Sequence, residues 1–245
     1  MQPTIKEVPN PAAQRDRRIV EGVVGNLDLF WGLLPSQLAA IARQSSILSA
    51  RRGDVISKRD SRLPGVFAVG YGTVKLSLGG TDGEERVIRL VVAGQTFGEE
   101  TALLGKPCGY EARAVAEAKL VVIPSAALIE LIERDTCFAR RMVLALAERS
   151  LELVSELHSA TLQRGAQRLA SYLESLADPA AAGAHTVKLP VSKTVVAARL
   201  GVKKETLSRL LRQFATDGLI HVAQREVSIL DRDRLTLVAR AAAAA

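Results

Sequence analysis

The sequence predicts an α+β protein with an N-terminal β-roll, one long helix and a C-terminal winged helix-turn-helix. Three observations support this order: glycine-punctuated β-type runs between residues 46 and 124, a heptad-patterned stretch near 138–162, and a helix–turn–helix–hairpin pattern over Leu189–Ile229. A chain of 245 residues with 48% hydrophobic content has room for two domains with real cores.

The N-terminal 42 residues divide into an arm and a helical pair. Residues 1–18 are polar and hold three prolines, which predicts a flexible arm. From residue 19 to 42 two short helices are expected, broken at Pro35. Their expected buried side chains are Phe30, Trp31, Leu33, Leu34, Leu38 and Ile41.

Short apolar runs separated by glycines follow, and they predict a β sandwich or barrel. The predicted strands are residues 46–50, 54–57, 65–71, 73–78, 85–92, 112–116 and 118–123. Residues 97–114 are predicted to form a helical turn and a loop between strands.

The next helices lead out of the β-roll. A helix begins at Pro124-Ser125, and Thr136 is expected to cap a longer helix that reaches Leu162. Ala139, Leu146, Leu153 and Ala160 recur every seven residues, with Val143 and Leu157 on the adjoining seam. The pattern favours a coiled-coil contact between two subunits through Val143, Leu146, Leu153 and Leu157; packing on its own domain is the alternative.

The C-terminal part has the features of a DNA-reading element. After an amphipathic helix over residues 163–176 and a loop over 177–185, Ser192 is a good N-cap and Gly201 permits a sharp turn. A second helix is predicted over Lys204–Thr216, followed by a small β-hairpin, or wing. Glu205, Ser208 and Arg209 share one face of that helix. The alternative is a helical hairpin with a solvated basic face.

Domain boundaries follow from this order. They are a flexible arm (1–18), a β-roll sensor domain (19–135), a dimerisation helix (136–162) and a winged helix-turn-helix domain (163–245). The net charge of +7 belongs mostly to the last domain, which holds 13 Lys and Arg against 7 Asp and Glu. This asymmetry favours a polyanionic partner.

Several classes of protein are disfavoured by composition. The two cysteines, Cys108 and Cys137, are too far apart for a zinc or iron–sulfur motif. Charged residues near the N-terminus exclude a signal peptide, and no apolar run is long enough to span a membrane, so a cytoplasmic location is expected. No grouping of nucleophile, base and orienting residue suggests an enzyme.

The order of parts resembles the CRP/FNR family of bacterial transcription regulators over about residues 20–238. The resemblance depends on four motifs: Arg52-Gly53-Asp54 with Val55-Ile56, Gly70-Tyr71-Gly72 with Val74-Lys75, Phe97-Gly98-Glu99, and Glu205 through Arg209. It implies a cyclic-nucleotide-binding-like β-roll and a homodimer that binds double-stranded DNA and contacts RNA polymerase, with the loop residues Asp82, Gly83 and Glu84 as candidates for the polymerase contact.

The effector pocket implied by the resemblance comprises Phe97, Gly98, Glu99, Cys108 and Gly109. Where the family's phosphate-binding arginine should stand, this chain has Cys108. Lys106 or Arg113 are the candidate replacements, and Glu99 is a candidate acceptor for a ribose hydroxyl. The departure argues against cAMP or cGMP and favours a retained structural turn.

Other effectors follow from the branches of the family. No cysteine precedes Cys108, which argues against the iron–sulfur cluster of the oxygen-sensing branch. The chain looks most like the branch that regulates nitrogen-oxide respiration (DNR-like), which implies nitric oxide sensing through haem. Haem needs an axial ligand, and the histidines, His158, His185 and His221, are each expected to be structural or solvated.

The resemblance also assigns DNA contacts. Glu205, Ser208 and Arg209 resemble the FNR signature, which implies base reading of a TTGAT-like palindrome. Lys193, Thr194, Lys203, Lys204 and Thr206 are the phosphate-contact candidates. A cyclic-nucleotide-responsive regulator, or a cyclic-nucleotide-binding module that does not act on DNA, are the alternative functions.

Overall fold

The computed structural model describes residues 11–79, 85–177 and 185–241. The proposed polymerase contact at Asp82, Gly83 and Glu84 lies outside them. The helices are α1 (Pro11–Gly25), α2 (Pro35–Gln44), α3 (Glu99–Leu104), α4 (Ser125–Arg134), α5 (Thr136–Leu162), α6 (Gly165–Ser175), α7 (Lys193–Leu200), α8 (Lys204–Thr216) and α9 (Arg232–Arg240). None of these helices is long and apolar enough to cross a membrane.

The strands form three antiparallel sheets. They are β1 (Ser46–Ala50), β2 (Val55–Ser57), β3 (Gly65–Tyr71), β4 (Thr73–Gly79), β5 (Glu85–Val92), β6 (Thr96–Phe97), β7 (Glu111–Ala114), β8 (Ala118–Pro124), β9 (His185–Lys188), β10 (Ile220–Ala223) and β11 (Glu226–Ile229). Their orders are β1-β8-β3-β6, β2-β7-β4-β5 and β10-β11-β9.

The chain divides into two compact units. Unit 1 comprises residues 1–78 and 89–147, and unit 2 comprises residues 79–88 and 148–245. The predicted α+β architecture is confirmed: two four-stranded sheets form the β-roll of unit 1, and unit 2 holds the helix-turn-helix and its wing. The predicted dimerisation helix is α5, which runs without a break from unit 1 into unit 2.

The β-roll is held by strands whose side chains point inward. In β3, Val66, Ala68 and Val69 are fully buried, and β3 pairs with β8 from Gly65↔Pro124 to Tyr71↔Lys119. Gly72, with φ of 89°, connects β3 to β4, and a Cβ there would lie 2.2 Å from the Glu117 carbonyl oxygen. A side chain at this turn would therefore clash with backbone.

The predicted flexible arm is wrong for its second half. Residues 11–18 belong to α1, and residues 1–10 lie outside the described part of the chain. Val20 and Val24 of α1 are buried in the core of unit 1 with Phe30 and Ile41. The apolar positions of α1 therefore tie the segment to the domain.

Two of the six side chains predicted to be buried before residue 42 are exposed. Trp31 is 75% exposed and Leu34 is 62% exposed, whereas Phe30 and Ile41 are buried. A 3-10 turn at Asp28–Phe30 turns the chain between α1 and α2. The turn directs Phe30 inward onto Phe138 of α5, with ring centroids 5.2 Å apart, and leaves its neighbour Trp31 outside.

The cap of α5 is Asp135 and not Thr136. The Asp135 carboxylate accepts a hydrogen bond from the Phe138 backbone N–H at 2.9 Å and another from the Gln37 side chain at 2.9 Å. These bonds, from Phe138 first, lower the pKa of Asp135. Thr136 is the first residue of the helix, so the hydroxyl lies one position too late to cap it.

Unit 2 contains a three-stranded sheet where two strands were expected. β9 pairs with β11 from Glu226↔Lys188 to Ile229↔His185. The sequence predicts a loop through residue 185, because the preceding residues are mostly alanine and glycine. β9 is anchored by Val187, which is 5% exposed, and precedes the buried Leu189 and Val191.

Candidate nucleic-acid interface and β-roll pocket

The helix-turn-helix forms as its residue pattern predicts. The Ser192 hydroxyl accepts a hydrogen bond from the Val195 N–H at 3.4 Å, which caps α7. Gly201 ends α7 in the left-handed region with φ of 60° and ψ of 44°. α8 then begins at Lys204.

Burial of one face of each helix fixes the pair. The inward side chains are Val196, Leu200, Leu207, Leu211 and Phe214, each 5% exposed or less. Because these positions recur at helical spacing, the opposite face of α8 is left to solvent.

We call that solvent-exposed face of α8 the recognition face, because it carries the residues predicted to read DNA bases. Lys204, Glu205, Ser208, Arg209 and Arg212 line one open concavity of about 390 Å³, and all five are exposed. Within the described residues, none of these five side chains has a hydrogen bond or an ion pair. The donors and acceptors of this face are therefore available to an external partner.

The structure brings the three predicted base-reading residues together on this face. Glu205, Ser208 and Arg209 lie on it side by side, one helical turn apart or less. Arg212 lies one turn further along and was not predicted from the sequence. The i, i+3, i+4, i+7 spacing from Glu205 was the signal that could have identified it.

The predicted phosphate-contact residues lie at the starts of α7 and α8. Lys193 and Thr194 begin α7, and Lys203, Lys204 and Thr206 begin α8. Thr194, Lys203 and Lys204 are exposed, and the other two are half-buried. A helix N-terminus presents free backbone N–H groups and a positive dipole end, which suits anionic oxygen.

The wing is a hairpin tied back to the helical part. β10 and β11 pair from Ile220↔Ile229 to Ala223↔Glu226, with Gln224 in the turn at φ of 54°. The Arg225 side chain donates to the Leu189 carbonyl at 2.9 Å. This hydrogen bond holds the Arg225 side chain against the segment that precedes α7.

A network of arginines braces α7 within unit 2. Arg199 of α7 pairs with Glu156 of α5 at 2.8 Å, and Arg149 lies 3.5 Å from the same carboxylate. Arg168 of α6 donates to the Leu200 carbonyl at 2.8 Å. Burial first, and then Arg168 and Arg199, lower the pKa of Arg86. These contacts fix α7, and they were not predicted from the sequence.

In unit 1, the predicted effector pocket begins with Phe97 and Gly98. Phe97 is buried and its ring stacks on Phe67 with centroids 4.9 Å apart. Gly98 has φ of 91°, and a Cβ there would lie 2.9 Å from Leu63 Cδ1. This part of the motif is a packed structural turn.

Cys108 is turned into the protein. The residue is fully buried, and its thiol donates to the Tyr110 carbonyl at 3.3 Å. Its backbone N–H donates to Ser61 O at 2.8 Å, and its carbonyl accepts from the Asp60 N–H at 2.7 Å. Burial raises the pKa of the thiol. Cys108 is thus a buried packing residue at the position where the sequence resemblance predicts a phosphate-binding arginine.

The acidic side chains of Glu99 and Tyr110, which are close to Cys108 in the sequence, also have raised pKa values. Burial raises the pKa of Glu99, and burial together with Glu100 raises the pKa of Tyr110. The phosphodiester of a cyclic nucleotide would add one negative charge to these buried acidic groups.

The candidate replacement arginine is already engaged. Arg113 forms a salt bridge with Glu111 at 2.7 Å and donates to Gly53 O at 2.8 Å. Lys106 and Gly109 are exposed at the surface. Arg113 therefore serves the β2–β7 region of the sheet, and its charge is compensated by Glu111.

The sequence of the β-roll contains no histidine. The sequence has none before His158; His158 and His221 are exposed in unit 2, and His185 begins β9. In the described residues, no group of three or more His, Cys, Asp or Glu is arranged to hold a metal ion.

The solvent-exposed apolar side chains of α5 form one stripe along the helix. Val143, Leu151, Val154 and Leu157 are 63–72% exposed, and Leu144 is 50% exposed. Leu146, one of the four proposed dimer residues, instead packs against the core of unit 1. The proposed seam therefore passes along Val143, Val154 and Leu157, with Leu153, 47% exposed, near its edge.

Two families match separate parts of the chain. Residues 47–135 match the cyclic nucleotide-binding domain, and residues 167–238 match the Crp-like helix-turn-helix domain. The first match covers the β-roll with α3 and α4, and the second covers most of α6 through α9.

Relatives and a solved structure match most of the length of the chain. The chain is 24% identical over 224 residues to the CRP-like cAMP-activated global transcriptional regulator of Mycobacterium tuberculosis, covering 90% of this chain and all of that protein. It is 29% identical over 193 residues to transcriptional regulator SdrP of Thermus thermophilus, covering 75% of this chain and 89% of SdrP. The solved structure of FixK2 from Bradyrhizobium japonicum superposes with a TM-score of 0.72 at 24% identity, covering 81% of this chain and 99% of FixK2.

Proposed function

The chain belongs to the CRP/FNR family of DNA-binding transcription regulators, and on this premise we propose that it acts as a homodimer that reads a TTGAT-like palindrome. The observation that carries the proposal is the recognition face of α8, whose five polar side chains are exposed and have no partner in the described residues. A near-palindromic site matches the two-fold symmetry of such a dimer, with half-sites about one helical turn apart.

Each base-reading residue has a distinct role. Arg209 donates two parallel hydrogen bonds to guanine O6 and N7, Glu205 accepts from a cytosine amino group, and Ser208 contacts a thymine or adenine edge. The serine is the feature that favours an FNR-type half-site over a CRP-type one, in which glycine stands at this position.

Phosphate contacts set the register of the protein on the duplex. The side chains of Lys193 and Thr194, and of Lys203, Lys204 and Thr206, lie at two helix N-termini that can approach the sugar–phosphate backbone. The excess of basic residues after residue 163 adds to this attraction without adding sequence preference.

Dimerisation is assigned to the exposed stripe of α5. Val143, Leu151, Val154 and Leu157 present apolar surface that a second copy of the helix would cover. Because α5 belongs to both units, a change in its packing is the route by which the β-roll would control the two recognition helices. Contact with RNA polymerase remains part of the proposal.

Cyclic nucleotides are disfavoured as the signal. The β-roll matches the cyclic nucleotide-binding domain, but Cys108 replaces the phosphate cation and is buried, and Arg113 is paired with Glu111. We expect calorimetric titration with cAMP or cGMP to show no binding at micromolar concentrations. Saturable micromolar binding would favour the cyclic-nucleotide-responsive alternative.

The sequence resemblance implies nitric oxide sensing through haem as the other input, but the residues of the β-roll fit a haem site poorly. The β-roll has no histidine. The buried Cys108 thiol donates to the Tyr110 backbone carbonyl, and the Tyr110 hydroxyl interacts with the carboxyl groups of Glu99 and Glu100. We therefore expect purified protein offered haem to develop no Soret band of a ligated haem, with or without nitric oxide. Appearance of such a band would assign haem as the cofactor.

The experiment that tests the proposed function is a gel-shift titration. A duplex with a TTGAT-containing palindrome is compared with a scrambled duplex of equal length at fixed salt. We expect binding to the palindrome to be at least about 10³-fold tighter. Equal affinity for both duplexes would reduce the helix-turn-helix to a non-specific basic surface.

A further inference from the structure

We propose that Arg212 of α8 contacts a DNA backbone phosphate at the edge of the major groove and so adds one ionic contact per subunit to the three base-reading residues. This inference rests on the proposed function. It deepens that function by separating a phosphate contact from the base contacts on one continuous helix face.

Arg212 lies at the far end of the recognition face. It lines the same concavity as Lys204, Glu205, Ser208 and Arg209. It follows Glu205 by seven residues, which places it about 10.5 Å further along the helix axis. Residues at the start of a recognition helix reach the base edges, and the major groove is about 12 Å wide. A side chain two turns further along therefore meets the wall of the groove, where the phosphates lie.

The guanidinium of Arg212 is available to an external group. Arg212 is exposed, and its side chain has no hydrogen bond or ion pair in the described residues. The residues three and four positions away are Ser208, Arg209, Ala215 and Thr216, so no carboxylate on α8 is placed to pair with it. The Thr216 hydroxyl bonds the Arg212 backbone carbonyl at 3.1 Å and leaves the guanidinium free.

Other arginines of unit 2 differ from Arg212 in their partners. Arg199 pairs with Glu156, Arg168 donates to the Leu200 carbonyl, and Arg225 donates to the Leu189 carbonyl. Those guanidinium groups stabilise the fold. Arg212 has no such partner in the part of the chain that the structure describes, so its charge is available to an external anion.

The test measures how salt affects DNA affinity. Fluorescence anisotropy gives Kd for wild type, Arg212→Gln and Arg212→Lys on the palindrome and on the scrambled duplex, between about 50 and 200 mM salt. Because each phosphate contact contributes about 0.9 to the slope of log affinity against log salt, the two copies of Arg212→Gln should flatten the slope by about 2 on both duplexes. The affinity ratio between the duplexes should not change, and Arg212→Lys should keep the wild-type slope.

The control removes a positive charge elsewhere. Lys119 lies on the exposed side of β8. Lys119→Gln should leave the slope of log affinity against log salt as in wild type. Equal thermal midpoints for Arg212→Gln and wild type would exclude a folding defect. An unchanged slope in Arg212→Gln, or a loss confined to the palindrome, would overturn the phosphate assignment. If wild type itself does not prefer the palindrome, the proposed function fails, and the slope on scrambled DNA still tests Arg212.

Discussion

The recognition face of α8 and the buried surroundings of Cys108 differ in how their polar groups are satisfied. On α8, Glu205 and Arg209 are exposed and have no partner in the described residues. In the β-roll, the Cys108 thiol is bonded to the Tyr110 carbonyl and Arg113 is paired with Glu111. A surface that binds a ligand leaves its donors and acceptors free, whereas groups that are satisfied internally contribute to the fold. The difference supports the proposals that α8 is the DNA-reading surface and that the residues around Cys108 do not bind a phosphate.

The largest effect is expected from a substitution outside both regions, on the exposed stripe of α5. Leu157→Glu places a charge on the exposed stripe of α5, where burial against a second copy would leave it unpaired. We expect the dimer to dissociate and palindrome affinity to fall by about 10²–10⁴-fold, because two half-sites are no longer bound together. Light scattering and anisotropy measure the two effects.

A matched control for this prediction is Leu104→Glu at the end of α3, because Leu104 is as exposed as Leu157 and lies outside α5. It should remain dimeric and bind DNA as wild type does. If Leu157→Glu also stays dimeric, the stripe is not the subunit contact.

The output side is tested by Arg209→Ala. Loss of the bidentate contact to guanine should cost about 1–3 kcal/mol on the palindrome and relax discrimination at one base pair. Affinities for duplexes with each base at that position measure both effects. A loss of equal size on palindrome and scrambled DNA would mean that Arg209 contacts phosphate.

The input side is tested by Gly98→Ala. With φ of 91° and a new Cβ 2.9 Å from Leu63 Cδ1, the substitution should destabilise unit 1 by about 1–3 kcal/mol. Gly109→Ala is the control, because a Cβ at that residue would have nothing within 4 Å and its φ is not positive. Chemical denaturation compares the two variants. Equal stabilities would contradict a tightly packed pocket.

The smallest effect is a pH dependence at Glu99. Burial raises the pKa of this carboxyl in the folded state, so its contribution to stability is greatest below the ordinary carboxyl pKa and is lost as pH rises. Glu99→Gln should therefore have a higher Tm than wild type near pH 7, with the difference shrinking toward pH 4. Glu133→Gln, at an exposed position on α4, is the control, because Glu133 does not contribute to the pKa shift of Glu99. A Tm difference that does not change with pH would contradict this origin.

The sequence predicted the features that depend on local pattern. Ser192, Gly201 and the apolar spacing of α8 are sufficient to define the helix-turn-helix, and the strands β1, β3 and β5 have the predicted bounds. Each of these strands is a short β-type run with glycine, proline or charged residues close to its ends in the sequence.

The features that were missed depend on tertiary contacts. β6 has two residues and β9 has four, too few for a periodic pattern, and each is held by a partner strand distant in sequence. Trp31 and Leu146 are apolar residues whose surroundings are set by the 3-10 turn and by the core of unit 1. The inward orientation of Cys108 likewise depends on Ser61 and Asp60, 47 and 48 residues earlier in the chain.

We propose that the recognition face of α8 reads a specific DNA site without a cyclic nucleotide. It is tested most directly by anisotropy titration of wild type on the TTGAT-containing palindrome and on its scrambled counterpart, with and without saturating cAMP. We predict a strong preference for the palindrome that cAMP does not change. Equal binding to both duplexes, or a preference that appears only when cAMP is added, would contradict this claim.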